Sequence, residues 1–82
     1  MYYSVKLQKT IMCEFFKLSD KVKCSVLWET AKALVKSNCD DLEYEIVYVF
    51  AYVFDYNFNG MSEQDIKILE NIKKLLDVKN EN

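Results

Sequence analysis

The stretch that decides the fold is LEYEIVYVFAYVFDY, residues 42–56. As a β-strand it would be about 50 Å long at roughly 3.3 Å per residue, whereas a domain of this size is only about 30 Å wide. The stretch also contains no turn residue that would allow a hairpin. We therefore predict a helix, although its aromatic and β-branched residues locally favour a strand.

In a helix, the tyrosines of this stretch recur at every fourth position and form one stripe. The other faces are apolar as well, so the helix must either be the centre of the fold or be covered by another chain. We predict self-association through it, because tyrosine supplies apolar area together with a hydroxyl that can be hydrated or paired. Burial within one chain and contact with a different protein remain open. The predicted interface consists of Tyr44, Tyr48, Tyr52, Tyr56 and Phe54.

Three further helices are predicted from apolar residues at helical spacing. The first covers about residues 4–18, with the stripe Leu7, Ile11, Met12, Phe15, Phe16 and Leu18. The second covers about residues 20–37, with the stripe Val22, Val26, Leu27, Ala31, Leu34 and Val35. The last follows a turn at residues 57–60 and has the stripe Ile66, Leu69, Ile72, Leu75 and Leu76.

Composition supports a helical chain. The 82 residues are 51% hydrophobic and include one glycine and no proline, which leaves too few turn residues for a sheet-rich domain. Polar residues at the predicted helix ends can cap them. These are Ser19 with Asp20, Asn38, Asp40 or Asp41, of which Asp40 fits a reciprocal cap with Glu43, and Ser62 with Asp65. We predict a single all-α domain over residues 1–82, a compact bundle of about four helices.

Catalysis is not expected. The chain contains no histidine, the usual acid and base at neutral pH, and a single glycine cannot form a phosphate-binding loop. No cofactor is predicted. The three cysteines are odd in number and widely spaced, so we expect reduced thiols packed as small hydrophobic side chains rather than disulfides or a metal site. No signal peptide or membrane span is visible, and we predict a cytoplasmic protein.

The sequence is also compatible with two alternative functions. A small helix-turn-helix DNA-binding regulator could use the lysines near residues 21–25, although all eleven cations are lysine and no arginine is present to read bases. Weak divalent-cation binding could use the loop of residues 55–60, which matches the first half of an EF-hand. Its second half fails because Ile66 occupies the position of the bidentate glutamate.

An acidic cluster lies at the start of the third predicted helix. It comprises Asp40, Asp41, Glu43 and Glu45. We expect it to be an exposed patch for a basic target, such as a surface that normally binds nucleic acid. Helix capping and solvation are the structural alternative, because acidic residues at a helix start are favourable without any partner.

Three short motifs give the chain a resemblance to known proteins. They are FFKLSD at residues 15–20, YVF at residues 52–54 and NFNG at residues 57–60, in a chain rich in lysine, asparagine, isoleucine, tyrosine and phenylalanine. The chain resembles short helical accessory proteins of phages and mobile elements, of which anti-CRISPR inhibitors and replication or packaging adaptors are examples. The resemblance implies a protein-binding module that inhibits or adapts a larger host or defence complex by occupying its surface.

Overall fold

Helices account for all the regular structure in the computed structural model, which describes residues 3–80 and the side chains of residues 3–77. The elements are α1 (Val5–Phe16), α2 (Asp20–Ser37), α3 (Leu42–Tyr48), a π-helix (Val49–Val53) that continues α3, and α4 (Glu63–Asn80). No strand occurs among residues 3–80, so the prediction of an all-α bundle is confirmed. Residues 1, 2, 81 and 82 of the predicted domain lie outside the described residues.

The α3 and π-helix segment is the centre of the bundle. Together the two elements pack against α1, α2 and α4. Their inward side chains are almost completely buried, and these are Ile46, Val47, Val49 and Phe50. Around them lie Ile11 and Phe15 of α1, Val22 and Val26 of α2, and Leu69 and Ile72 of α4. The apolar central stretch is therefore enclosed largely by its own chain.

The third helix is shorter than predicted. The π-helix that continues α3 ends at Val53, and the backbone at Phe54 is extended with ψ 130°. At this end the Phe54 amide donates to the Val49 carbonyl five residues back, at 2.7 Å, which widens the last turn. The Tyr56 hydroxyl then donates to the Phe50 carbonyl at 2.8 Å and satisfies an acceptor that the helix leaves unpaired. The prediction of a helix through residue 56 is wrong for its last three residues.

The predicted apolar face of α2 is also partly wrong. Val22 and Val26 are buried as expected, and Thr30 joins them because its hydroxyl donates to the Val26 carbonyl at 2.7 Å. Leu27 and Val35 instead point outward, and Val35 is 85% exposed. The buried face is thus rotated away from the predicted stripe.

Two other predicted burials fail in the same way. Phe16, at the end of α1, is 65% exposed although it was assigned to the apolar stripe. Cys13 and Cys24 are exposed rather than packed, whereas Cys39 is half-buried. All three thiols are free.

Helix starts and stops follow the sequence more closely. Asn38 ends α2 in the left-handed conformation with φ 56°, as predicted. Of the two residues predicted to begin α3, Asp41 is the cap, and its carboxylate accepts from the Tyr44 amide at 3.1 Å; the reciprocal cap predicted for Asp40 and Glu43 is not the one observed. The turn before α4 contains Gly60 at φ 81°, a conformation that glycine adopts without strain.

One buried carboxylate joins the start of α4 to the start of α2. Asp65 is 4% exposed, and its carboxylate accepts from the Ser19 amide at 2.9 Å and from the Ser19 hydroxyl at 2.6 Å. These bonds hold the pKa of Asp65 below its usual value, against the opposing effect of burial. The Ser62 hydroxyl accepts from the Asp65 amide as predicted, at 3.1 Å. Ser19 itself does not cap α2 through its side chain, contrary to prediction.

Candidate protein interface

A groove of about 610 Å³ separates α2 from α3. Its lining includes residues from α2, from α3 and from the π-helix. These are Glu29, Lys32, Ala33, Lys36, Ser37, Tyr44, Glu45, Tyr48 and Val53. We call it the tyrosine groove, since two of the predicted interface tyrosines line it.

Two tyrosines give this region an exposed aromatic surface. Tyr48 is 39% exposed and Tyr52 is 55% exposed, and their ring centroids are 5.1 Å apart. They lie one helical turn apart because α3 continues into the π-helix without a break. Val53, the last residue of the π-helix, is also exposed. The surface thus combines apolar area with two phenol groups, a composition typical of protein interfaces.

The other predicted interface residues lie apart from this pair. Tyr44 lines the groove but is half-buried, with its ring centroid 5.9 Å from that of Tyr3. Phe54 and Tyr56 belong to the loop after the π-helix and pack edge-to-face at 5.3 Å. The structure therefore divides the predicted stripe, and only Tyr44 and Tyr48 line this groove.

Tyr3 adds a buried phenol behind this surface. Its side chain is almost completely buried, and its hydroxyl has no hydrogen-bond partner within the described part of the chain. Burial raises the pKa of Tyr3, and the neighbouring Tyr52 raises it further. The hydroxyl therefore stays neutral well above physiological pH.

A second groove, of about 650 Å³, borders the first. Glu29 and Val53 line both, so they form the ridge between them. The far wall of the second groove includes the loop of residues 55–60, the alternative cation site. In that loop the Asn57 side-chain oxygen accepts from the Asn59 amide at 3.1 Å, and the Phe58 carbonyl accepts from the Met61 amide at 3.2 Å. The predicted turn at residues 57–60 is confirmed, and the cation site remains a prediction.

Charge is unevenly placed around the tyrosine groove. Lys32 and Lys36 are exposed on α2, and Lys32 pairs with Glu29 at 2.9 Å. The same lysine nitrogen is 5.8 Å from the centroid of the Trp28 ring, within range of a cation–π contact. Glu45 lies on the opposite wall and is 5% exposed, with the Ser37 hydroxyl donating to it at 3.4 Å. Lysines therefore flank a mainly apolar groove that has one buried carboxylate.

The predicted acidic patch does not form one exposed surface. Asp41 caps α3, and Glu43 pairs with Lys9 of α1 at 3.2 Å. Glu45 is buried, so its predicted exposure is wrong. Asp40 is exposed. Recognition of a basic target through this patch remains a prediction that now rests mainly on Asp40 and Asp41.

Three residues of α2 were missed by the sequence analysis. Trp28, Lys32 and Lys36 surround the grooves, but none was assigned to a site. Trp28 could have been singled out, because tryptophan is strongly enriched among the residues that dominate binding energy at interfaces. The lysines gave no comparable signal, because lysine is ordinary on the outside of a helix.

No other kind of site is evident in the described residues. Within them, no three Cys, Asp or Glu side chains are grouped so that they could hold a metal ion. None of the helices in residues 3–80 is sufficiently long and apolar to span a membrane. Comparisons with protein-family models, with curated proteins and with solved structures give no match to the chain.

Proposed function

We propose that this chain is a non-enzymatic protein-binding module whose partner docks in the tyrosine groove. The observation that supports this most is the exposure of Tyr48, Tyr52 and Val53 beside a concave surface. Complete burial of an exposed large apolar side chain stabilises by about 1.5–3 kcal/mol, and covering these three half-exposed side chains would supply a part of that at each, which favours association with another surface. Catalysis is disfavoured by the absence of histidine.

The chemistry of the groove suggests what the partner presents to it. Ala33 and Val53 leave room for an inserted apolar side chain, while the exposed Lys32 and Lys36 favour carboxylates at its edge. A short partner segment with an apolar residue next to acidic ones fits both requirements. The resemblance to phage and mobile-element accessory proteins extends the proposal to a larger host or defence complex, which the module would inhibit or adapt by surface occupation.

The groove is assigned to a different protein rather than to a second copy of this chain. Self-association through residues 44–56 was expected because that helix had to be covered. The bundle already covers most of it, and Phe54 and Tyr56 lie outside the helix. What remains exposed is smaller than the predicted interface.

The test is affinity capture from host lysate with matched variants. Tyr48→Glu places a charge in the groove, whereas Phe16→Glu places the same charge on an exposed phenylalanine at the end of α1. Circular dichroism should show that both variants remain folded. We expect the wild type and Phe16→Glu to recover the same partner and Tyr48→Glu to lose it at least about tenfold, equivalent to 1.4 kcal/mol. Equal recovery by Tyr48→Glu would contradict the proposal.

A further inference from the structure

The outer side of α2 carries an apolar stripe that none of the described residues covers. It consists of Cys24, Leu27, Trp28, Ala31 and Val35, all of them exposed. Trp28 is 66% exposed, a high value for the only tryptophan of the chain. At 100° per residue the stripe points opposite to Val22 and Val26, the buried side of the same helix. We call it the outer stripe.

The spacing of the outer stripe is that of a helix-pairing seam. Cys24, Trp28, Ala31 and Val35 follow one another at intervals of four, three and four residues, which is the alternation found where two helices pack along their length. Leu27 borders the seam on one side, and Leu34 lies one heptad further on the same side. The seam from residue 24 to residue 35 is about 16 Å long, roughly half of the molecule's 33 Å dimension.

We propose that the outer stripe is a homodimer interface in which α2 of a second copy packs antiparallel to α2 of the first. We place the middle of the seam of one copy against the middle of the seam of the other. The numbers of two seam residues that face each other then sum to 59. Trp28 then lies opposite Ala31 of the second copy, and Val35 lies opposite Cys24 of the second copy. Each layer pairs a larger side chain with a smaller one, which allows close packing without a void.

Charge selects the antiparallel arrangement over the parallel one. Lys21 is seven residues before Trp28 and therefore lies on the same line along the helix. A parallel pair would place Lys21 opposite Lys21 of the other copy. The antiparallel pair places Lys21 opposite Asn38, the C-terminal end of α2, where unpaired carbonyls carry partial negative charge. Asp40 and Asp41 follow that end in the sequence. In the antiparallel pair the two helix dipoles also point in opposite directions, which is the favourable arrangement.

The flanks of the seam agree with the same register. On one side, Leu27 lies near Leu34 of the second copy, which adds apolar contact. On the other side, Lys32 lies near Ser25 of the second copy, so no like charges meet there. A single helix face is smaller than the roughly 800 Å² per partner of a standard interface. We therefore expect a reversible dimer with a dissociation constant of roughly micromolar size.

The first test measures association of the full chain with sedimentation velocity over a range of concentrations. We expect the mass to rise from monomer to dimer, and the emission of Trp28 to shift to shorter wavelength as its ring is buried. Trp28→Glu should remain monomeric throughout. Phe16→Glu is the matched control, because Phe16 and Trp28 are 65% and 66% exposed, and it should dimerise like the wild type. A monomeric wild type at high micromolar concentration would overturn the proposal.

The second test determines the register with a cysteine pair. Val35→Cys is introduced with Cys13→Ser and Cys39→Ser, so that Cys24 is the one native thiol left. Positions 24 and 35 are about 16 Å apart along one helix, too far for a disulfide within one chain. With oxidised glutathione as acceptor of the two electrons and two protons, we expect a covalent dimer. Replacing Cys24 by serine in the same variant should abolish it.

The remaining outcomes also decide between arrangements. A dimer that persists after Cys24→Ser would join position 35 to itself, which indicates a parallel pair and overturns the proposal. A control variant carries Val5→Cys in place of Val35→Cys and measures cross-linking by random collision. If the Val35→Cys variant cross-links no faster than this control, the proposal is also overturned. Lys32 lies at the edge of both surfaces, but Tyr48 lies outside the dimer contacts, so Tyr48→Glu should leave the dimer unchanged.

Discussion

Two regions carry more apolar side chains than one buried face requires, and these are the segment formed by α3 with the π-helix, and helix α2. They differ in how much of this apolar surface the bundle buries. The first packs against three helices, so only Tyr48, Tyr52 and Val53 retain substantial exposure beyond the start of α3. The principal contacts of α2 are with that central segment alone. Its outer stripe is left uncovered by the described residues, and none of the five residues of that stripe has a hydroxyl group.

The comparison shows that position in the bundle, rather than apolar content, determines what a helix exposes. The more apolar segment became the core, whereas the ordinary amphipathic helix kept a second apolar face. On the central segment the exposed aromatic residues are tyrosines, which tolerate water, while α2 exposes Trp28 and Val35. For this reason a binding site and a self-association site are proposed on two adjacent surfaces.

The two regions should differ most in stability when one large aromatic residue is truncated in each. Phe50→Ala removes a buried ring from the π-helix and should lower the free energy of unfolding by about 3–5 kcal/mol. Trp28→Ala removes an exposed ring and should change it by less than about 0.5 kcal/mol in dilute solution. Urea unfolding followed by circular dichroism, with the slope checked for constancy, measures both. Similar losses at the two sites would show that the outer stripe is part of the monomer core.

The next largest effect concerns the bond that fixes where α2 begins. Asp65→Ala removes the acceptor of two hydrogen bonds from Ser19 and should lower the free energy of unfolding by roughly 2–3 kcal/mol, because the Ser19 donors lose their partner. Asp55→Ala, at an exposed aspartate in the loop, is the matched control and should have little effect. Thermal unfolding at neutral pH distinguishes the two variants.

The same carboxylate predicts a dependence on pH. The folded-state pKa of Asp65 lies below the unfolded value of about 3.9, so its contribution is complete above that pH and is lost as the pH falls through the folded pKa. The stability difference between wild type and Asp65→Ala should therefore be constant near neutrality and shrink below about pH 4. A difference that does not change down to pH 2 would contradict the assignment of this pKa.

Much of the fold was predictable because local signals and tertiary packing agreed. Helix α2 begins and ends as predicted, since Asn38 adopts the left-handed conformation that its sequence position indicates. The third helix was predicted too long because periodicity does not show where aromatic residues will leave a helix to cap it. That event depends on Tyr56 reaching Phe50 across the turn, a contact that requires the tertiary fold.

The candidate sites were less predictable for a related reason. A broad apolar stripe in the sequence does not determine how a helix is rotated about its axis. The helices that pack against it determine which side of the stripe is buried. In α2 the polar Thr30 entered the core because its hydroxyl bonds the Val26 carbonyl, and Leu27 and Val35 turned outward. The tyrosine groove was partly anticipated through Tyr44 and Tyr48, but its α2 wall could not be.

The smallest expected effect tests how the central segment ends. Tyr56→Phe keeps the ring but removes the hydroxyl that donates to the Phe50 carbonyl, and should lower the free energy of unfolding by about 1 kcal/mol. Burial raises the pKa of Tyr56, and Asp77 raises it further, so the benefit of the hydroxyl is present below the unfolded value of about 10 and declines as the pH rises above it. Urea unfolding at pH 7 and pH 11 should show a larger wild-type advantage at the lower pH. Equal stability of the two proteins at pH 7 would mean that the π-helix ends at Val53 without help from the Tyr56 hydroxyl.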